Sequence, residues 1–162
     1  MSMAPLRRVF VYGTLKRGEP NHHWLTSVAN GEASFVGHGT TVVRYPLVIG
    51  SRYNIPFLLD VAGQGHNVRG EIYTIDDRML SRLDVLEDYP RLYERRPEEI
   101  RQDVDGVVIT CWIYLLQRFP ERLLKGAELL EEYRNSAHRP YTESDDDNVF
   151  AEHENGAGKD DV

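Results

Sequence analysis

The chain has 162 residues, of which 41% are hydrophobic and 28% charged. This composition is typical of one soluble globular domain and is too apolar for a disordered chain. The net charge of −7 equals that of residues 143–162 alone, which hold eight acidic residues and one lysine, so the rest of the chain is neutral. This charge distribution argues against a nucleic-acid-binding surface, and no apolar run reaches the roughly 18 residues of a membrane span.

The first half of the chain is predicted to be rich in strands. β-Branched and aromatic residues predict a strand at 8–12, followed by a loop at 13–20. Asn21 lies at the N-cap position expected of a short helix. Extended structure is predicted for 33–45, with breaks at its glycines. Two short apolar strands are predicted at 45–50 and 55–59.

The second half alternates strands and helices. Residues 68–75 form a predicted strand, and Asp76 can cap a helix that runs to residue 88. The segments 93–100 and 107–116 are predicted to pair around a turn. Pro120 is expected to open a last helix, whose apolar face would consist of Leu123, Leu124, Ala127, Leu130 and Tyr133.

Strands outnumber helices in this pattern, and short turns join most of them. The fold class is therefore α+β, with a mostly antiparallel sheet that can curl into a small barrel with flanking helices. We expect a single domain over residues 7–137. Residues 138–162 have no periodicity and are expected to be an acidic, flexible C-terminal tail.

Motifs for common cofactors do not fit the chain. The spacing of Gly13 and Gly18 resembles a phosphate-binding loop, but Glu19 and Pro20 stand where lysine and serine or threonine are required. The six histidines lack metal-site spacing, and Cys111, the single cysteine, is expected to pack inertly in an apolar strand. One cysteine without a disulfide partner favours a cytoplasmic location.

The junction after the first strand can bind an anionic oxygen. Gly13 would let the main chain turn sharply, which would expose the consecutive amides of Tyr12, Gly13, Thr14 and Leu15. Such donors can hold a carboxylate or a developing oxyanion. A plain turn at the end of a strand is the alternative interpretation.

Glu87 is the second unusual feature of the sequence. It follows Leu83 by four residues and lies at the border of an apolar helix face, close to the helix C-terminus. Burial and the helix dipole would both raise its pKa, which would suit a proton carrier near neutral pH. An exposed helical acid is the alternative.

Six segments together resemble the γ-glutamylcyclotransferase-like (AIG2-like) family. They extend over about residues 7–118 and are Val9-Phe10-Val11-Tyr12-Gly13-Thr14-Leu15-Lys16-Arg17-Gly18, Asn21-His22, Tyr45-Pro46-Leu47-Val48, Asn54-Ile55-Pro56-Phe57-Leu58-Leu59, Val68-Arg69-Gly70-Glu71-Ile72-Tyr73 and Leu83-Asp84-Val85-Leu86-Glu87. The resemblance implies a compact mixed β-barrel with flanking helices. It also implies a substrate-binding loop at residues 12–15 and a catalytic glutamate at Glu87.

The implied reaction is an intramolecular ring closure on a small γ-glutamyl substrate. The α-amine attacks its own γ-carbonyl and releases 5-oxoproline and an amine, with Glu87 moving the protons and no metal or other cofactor required. Ile55 and Tyr93 are further candidates for lining the pocket, with core packing as their alternative. Lys16 and Arg17 are expected to be solvent-facing loop residues, with a contribution of positive potential to the site as the alternative. No protein partner is evident.

The fine specificity stays open between related activities. The segments at Asn21-His22 and Asn54-Ile55-Pro56 favour amine-linked conjugates such as γ-glutamyl-ε-lysine. Free γ-glutamyl amino acids or glutathione are the alternative substrates. A catalytically silent relative that keeps the pocket for binding is the third hypothesis, which the acidic tail favours and a desolvated Glu87 argues against.

Overall fold

The computed structural model describes residues 6–144 and 149–150. Seven strands and two helices follow one another along this part of the chain. In chain order they are β1 (Arg7–Val11), α1 (His23–Thr26), β2 (Ala33–Thr41), β3 (Leu47–Gly50), β4 (Ile55–Leu58), β5 (Arg69–Ile75), α2 (Asp77–Leu86), β6 (Glu94–Gln102) and β7 (Val108–Leu115).

Five strands form a closed barrel in the order β1-β5-β2-β6-β7. Four of the five strand pairs are antiparallel, and β1 closes the barrel by pairing parallel to β7 at Val9 and Trp112. A bulge in β2 between Phe35 and Gly37 shifts its register with β5, which adds local bend to the strand. The predicted fold class, a mixed and mostly antiparallel small barrel with flanking helices, is confirmed.

Strands β3 and β4 form a separate hairpin beside the barrel. Four of its apolar residues, Leu47, Val48, Phe57 and Leu58, are fully buried. The hairpin is tied to the barrel by a bridge between Leu59 and Leu116. It thereby holds the start of β4 next to the end of β1, where the predicted substrate loop begins.

Helix α2 begins and ends close to the predicted positions. Asp76 caps it by accepting a hydrogen bond from the main-chain amide of Met79 at 2.8 Å. Met79 and Leu83 pack into the core. The helix ends at Leu86, with Glu87 as its C-cap and Asp88 in the left-handed region at φ 53°, which aspartate tolerates better than most residues.

The prediction that Asn21 caps α1 is wrong. The N-cap residue is His22, and it makes no capping hydrogen bond through its side chain. The side-chain amide of Asn21 donates instead to Thr14 Oγ1 at 2.9 Å and to the hydroxyl oxygen of Tyr141 at 3.1 Å. A tertiary contact therefore takes the side chain that the local pattern assigned to the helix.

The prediction of a long last helix is also wrong. Only one turn of 3₁₀-helix forms, at Glu121–Leu123, and Gly126 has a positive φ of 73°. The following chain bonds to the hairpin and the barrel, because the Leu130 amide donates to the Leu47 carbonyl at 2.9 Å and the Arg69 amide donates to the Glu131 carbonyl at 2.8 Å. These contacts replace the main-chain hydrogen bonds that a helix would have made.

The C-terminal segment packs on the domain as far as it is described. The Thr142 amide donates to the Tyr53 carbonyl at 3.0 Å, and the Asn54 side chain donates to the Pro140 carbonyl at 2.9 Å. Most of the predicted tail lies outside the described residues, so its flexibility and the domain boundary at residue 137 stay predictions.

Candidate active site

A cavity of about 360 Å³ opens where the loop after β1, the start of β4, the end of α2 and the C-terminal segment meet. Residues of β1, β4 and β7 line it, as does Trp24 of α1. Every predicted site residue lines this cavity. These residues are Tyr12, Gly13, Thr14, Leu15, Ile55, Glu87 and Tyr93.

Gly13 is required by packing and not by a left-handed backbone. A Cβ atom at this position would lie 2.9 Å from Cγ of Pro56, and Gly13 is not among the residues with positive φ. The chain bends at Gly13, as predicted, and the Lys16 amide donates to the Gly13 carbonyl at 3.2 Å. The glycine lets the loop lie directly against the start of β4.

The loop after β1 has unused donors. The amides of Gly13, Thr14 and Leu15 donate no hydrogen bond to any described residue, whereas the carbonyls of all three accept one. The carbonyl of Thr14 accepts from the Asn21 amide at 2.8 Å, and that of Leu15 lies 2.9 Å from Nδ1 of His22. The carbonyls thus fix the loop while its amides remain available to a ligand.

Lys16 does not face solvent as the sequence predicted. It is buried, and its ammonium donates to the Tyr133 carbonyl at 2.6 Å and lies 3.8 Å from Glu132. Burial lowers the pKa of Lys16, and the nearby acidic groups oppose this effect. Arg17 is exposed as predicted, and its guanidinium lies 3.8 Å from the centre of the Phe35 ring.

Glu87 is partly buried and lines the cavity. Its carboxylate accepts no hydrogen bond from the described residues. Desolvation raises the pKa of Glu87 to about 8, and the negative charge of Asp84 adds to the rise. The direction of this shift agrees with the prediction, with burial as its main cause and the charge of Asp84, which was not predicted, as the second. The role of Glu87 in catalysis stays a prediction.

Asp84, which faces Glu87 from the preceding turn of α2, is fully paired. Arg95 donates to its two carboxylate oxygens at 2.8 and 3.1 Å, and Tyr114 donates its hydroxyl at 2.7 Å. The Arg95 guanidinium also stacks 4.6 Å from the ring centres of Tyr89 and Trp112. This network fixes the position of the Asp84 carboxylate close to Glu87.

Two tyrosines complete the cavity wall near Glu87. Tyr12 donates its hydroxyl to the Tyr114 carbonyl at 2.7 Å, and Tyr93 donates its hydroxyl to the Pro56 carbonyl at 3.3 Å. Burial raises the pKa of both tyrosines, and the charge of Glu87 contributes to each rise. Both hydroxyls therefore stay protonated and serve the protein structure, which leaves Glu87 as the titrating group among these residues.

Sequence reasoning did not single out several residues around the cavity. Tyr114 lies within an apolar strand and Tyr141 lies in the predicted tail, so neither had a local signal. Asp84 was detectable, because it precedes Glu87 by three residues and shares its helix face.

Among the described residues, no three metal-ligating side chains cluster closely enough to hold a metal ion. No helix in the described ranges is long and apolar enough to cross a bilayer.

Comparisons with known proteins agree with this geometry. A sequence model of the gamma-glutamyl cyclotransferase, AIG2-like family matches residues 9–135, so the chain belongs to that family. Gamma-glutamylaminecyclotransferase of Bos taurus is 43% identical over 74% of this chain and 71% of its own. The Troponin C-akin-1 protein of Drosophila melanogaster is 48% identical over 84% of this chain and 81% of its own.

The fold comparison gives the same family. The crystal structure of an AIG2-like protein of Mus musculus superposes with a TM-score of 0.82 at 37% identity, covering 87% of this chain and 98% of that chain. The family and its homologues support a cyclotransferase that acts on γ-glutamyl compounds.

Proposed function

We propose that this protein is a γ-glutamylamine cyclotransferase with Glu87 as its proton carrier. The observation that carries the proposal is the placement of one unpaired carboxyl group, with a pKa of about 8, in the same cavity as three unused main-chain amides. A group that titrates close to neutral pH can both accept and return a proton.

The reaction needs two proton movements. The α-ammonium of a γ-glutamyl amide cannot attack until it loses a proton, which the Glu87 carboxylate accepts. The freed amine then bonds to the γ-carbon, and protonated Glu87 donates to the amide nitrogen as its bond to that carbon breaks. The attacking nitrogen loses two protons in all, and the released amine, which leaves as an ammonium ion, gains them.

The loop at Gly13, Thr14 and Leu15 would hold the oxygens of the glutamyl moiety. Its amides would bind an α-carboxylate or the developing oxyanion of the γ-carbonyl. Binding in the bent conformer also brings the amine to the carbonyl, and such orientation can supply several kcal/mol in a ring closure. No step in this scheme needs a metal or redox cofactor.

The substrate class rests on the relatives. Among them, gamma-glutamylaminecyclotransferases are 43% or more identical to this chain. We therefore infer amine-linked conjugates as substrates, such as γ-glutamyl-ε-lysine, with 5-oxoproline and lysine as products. This substrate would come from proteolysis of transglutaminase cross-links, and the single cysteine supports action in the cytosol.

A substrate panel tests the proposal. The purified protein is incubated with γ-glutamyl-ε-lysine, γ-glutamylalanine and glutathione, and 5-oxoproline is measured. We expect release from the lysine conjugate at the highest kcat/KM. Turnover of the alanine conjugate or glutathione without the lysine conjugate would overturn the substrate class, and no turnover of any of the three would overturn the enzymatic function.

A further inference from the structure

Tyr141 brings a side chain from outside the matched family region into the cavity. The family match ends at residue 135, whereas Tyr141 lines the same cavity as Glu87 and the loop at 13–15. Its main chain is fixed, because the Tyr141 amide donates to Asn135 Oδ1 at 2.8 Å. The flanking contacts of Pro140 and Thr142 hold it on the β3–β4 hairpin side.

The hydroxyl of Tyr141 is oriented by Asn21. One nitrogen, Nδ2 of Asn21, lies 3.1 Å from the Tyr141 hydroxyl oxygen and 2.9 Å from Oγ1 of Thr14. Since the nitrogen donates, the Tyr141 oxygen acts as the acceptor and its own hydrogen points elsewhere. The hydroxyl donates to no described residue.

The surroundings keep this hydroxyl protonated. Burial raises the pKa of Tyr141, the Asn21 hydrogen bond opposes the rise, and the charges of Glu143 and Glu87 add to it. Tyr141 is therefore a neutral donor in the cavity, next to the loop whose three amides are also unused. The residues of these four donors all line the cavity, and Asn21 links the Tyr141 hydroxyl to the side chain of Thr14.

We propose that Tyr141 is a substrate-binding residue whose hydroxyl donates a hydrogen bond to an oxygen of the glutamyl moiety. The inference rests on the proposed function, since it assumes a γ-glutamyl substrate. The glutamyl moiety is common to every conjugate and is the moiety that the loop at 13–15 would bind. Tyr141 therefore contributes to binding all conjugates and does not distinguish their amines.

The test compares Tyr141→Phe with wild type on two conjugates, γ-glutamyl-ε-lysine and γ-glutamylalanine. The variant keeps the ring and removes only the donor. We expect kcat/KM to fall roughly 10- to 100-fold, as for the loss of a hydrogen bond to a charged or polarised oxygen, and by the same factor on every conjugate that wild type turns over. Inhibition by the product 5-oxoproline, which contains the glutamyl moiety without the leaving amine, should weaken by a similar factor.

Tyr133→Phe is the matched control. Tyr133 lies in the same C-terminal segment, but it does not line the cavity, and its buried hydroxyl has no hydrogen-bond partner among the described residues. We expect its kcat/KM to equal that of wild type. Melting temperatures of both variants show whether either has lost its fold.

The outcomes separate the two proposals. An unchanged kcat/KM in Tyr141→Phe, with wild type active, would overturn the role of Tyr141 and leave the cyclotransferase function standing. A loss confined to one conjugate would place Tyr141 at the amine and would also overturn it. Failure of wild type to turn over any conjugate would overturn the proposed function itself.

Discussion

Two sheltered glutamates, one in β5 and one at the end of α2, differ in their partners. Glu71 in β5 is 6% exposed, and one of its carboxylate oxygens accepts hydrogen bonds from the Arg17 amide at 2.9 Å and the Tyr73 hydroxyl at 2.8 Å. Its other oxygen lies 3.9 Å from the Arg17 guanidinium. Glu87 is also sheltered, but no described residue donates to it.

This difference distinguishes an anchored acid from the proposed proton carrier. Glu71 accepts hydrogen bonds from the Arg17 amide and the Tyr73 hydroxyl, so it links the loop after β1 to the barrel. Burial without donors disfavours the charge of Glu87 and leaves its proton exchangeable near neutral pH. The same residue type thus anchors one region and, in the proposed function, transfers the proton in the other.

The largest expected effect is that of Glu87→Gln on turnover. The amide keeps the shape of the side chain but cannot carry a proton, so kcat should fall on the order of 10²–10⁴-fold. Substrate binding, measured by calorimetry, should change little. Undiminished turnover would show that Glu87 is not the proton carrier. Substrate binding without any turnover in wild type would instead support the catalytically silent alternative.

Replacing Glu71 with glutamine tests the difference between the two glutamates from the other side. In Glu71→Gln the amide oxygen can still accept from Arg17 and Tyr73, but these bonds are no longer charge-assisted. We expect a loss of about 1 kcal/mol in the free energy of unfolding, with kcat within roughly threefold of wild type. Urea denaturation and steady-state kinetics measure both. A large drop in kcat at unchanged stability would contradict the distinction.

A smaller effect is expected from Asp84→Asn. Removing this negative charge favours ionisation of Glu87, and the unpaired Arg95 cation acts in the same direction. The pKa of Glu87 therefore falls. The acidic limb of the kcat/KM profile, which we expect near pH 8 in wild type from the pKa of Glu87, should move to lower pH by about 0.5–1 unit.

Asp88→Asn is the control for that shift. Asp88 directly follows Glu87, but it pairs with Arg91 and is not a cause of the raised pKa of Glu87. The acidic limb of the kcat/KM profile of Asp88→Asn should lie at the same pH as that of wild type. Equal profiles for the two variants would show that Asp84 does not set the ionisation of Glu87.

The sequence predicted those features that depend on local pattern. Alternation in β1 and helical spacing in α2 are signals within a few residues, and both elements form. The border position of Glu87 beside buried Leu83 likewise indicated its raised pKa. These properties follow from which face of an element is buried.

Tertiary contacts explain the predictions that were wrong. The apolar residues from Leu123 to Tyr133 fit a helical spacing, but hydrogen bonds to Leu47 and Arg69 hold the chain in another conformation. Lys16 is buried because its ammonium reaches the carbonyl of Tyr133, 117 residues away. No local pattern contains such partners, and for the same reason Tyr141 gave no signal as a cavity residue.

Titration of the Glu87 carboxyl group tests the central claim most directly. The protein is labelled with ¹³C at the glutamate carboxyl carbons, and the Glu87 resonance is assigned by its absence in Glu87→Gln. The account predicts a midpoint of about 8. A midpoint near 4.5, the ordinary value for glutamate, would contradict it, since Glu87 would then be too weak a base to accept the proton of the α-ammonium group.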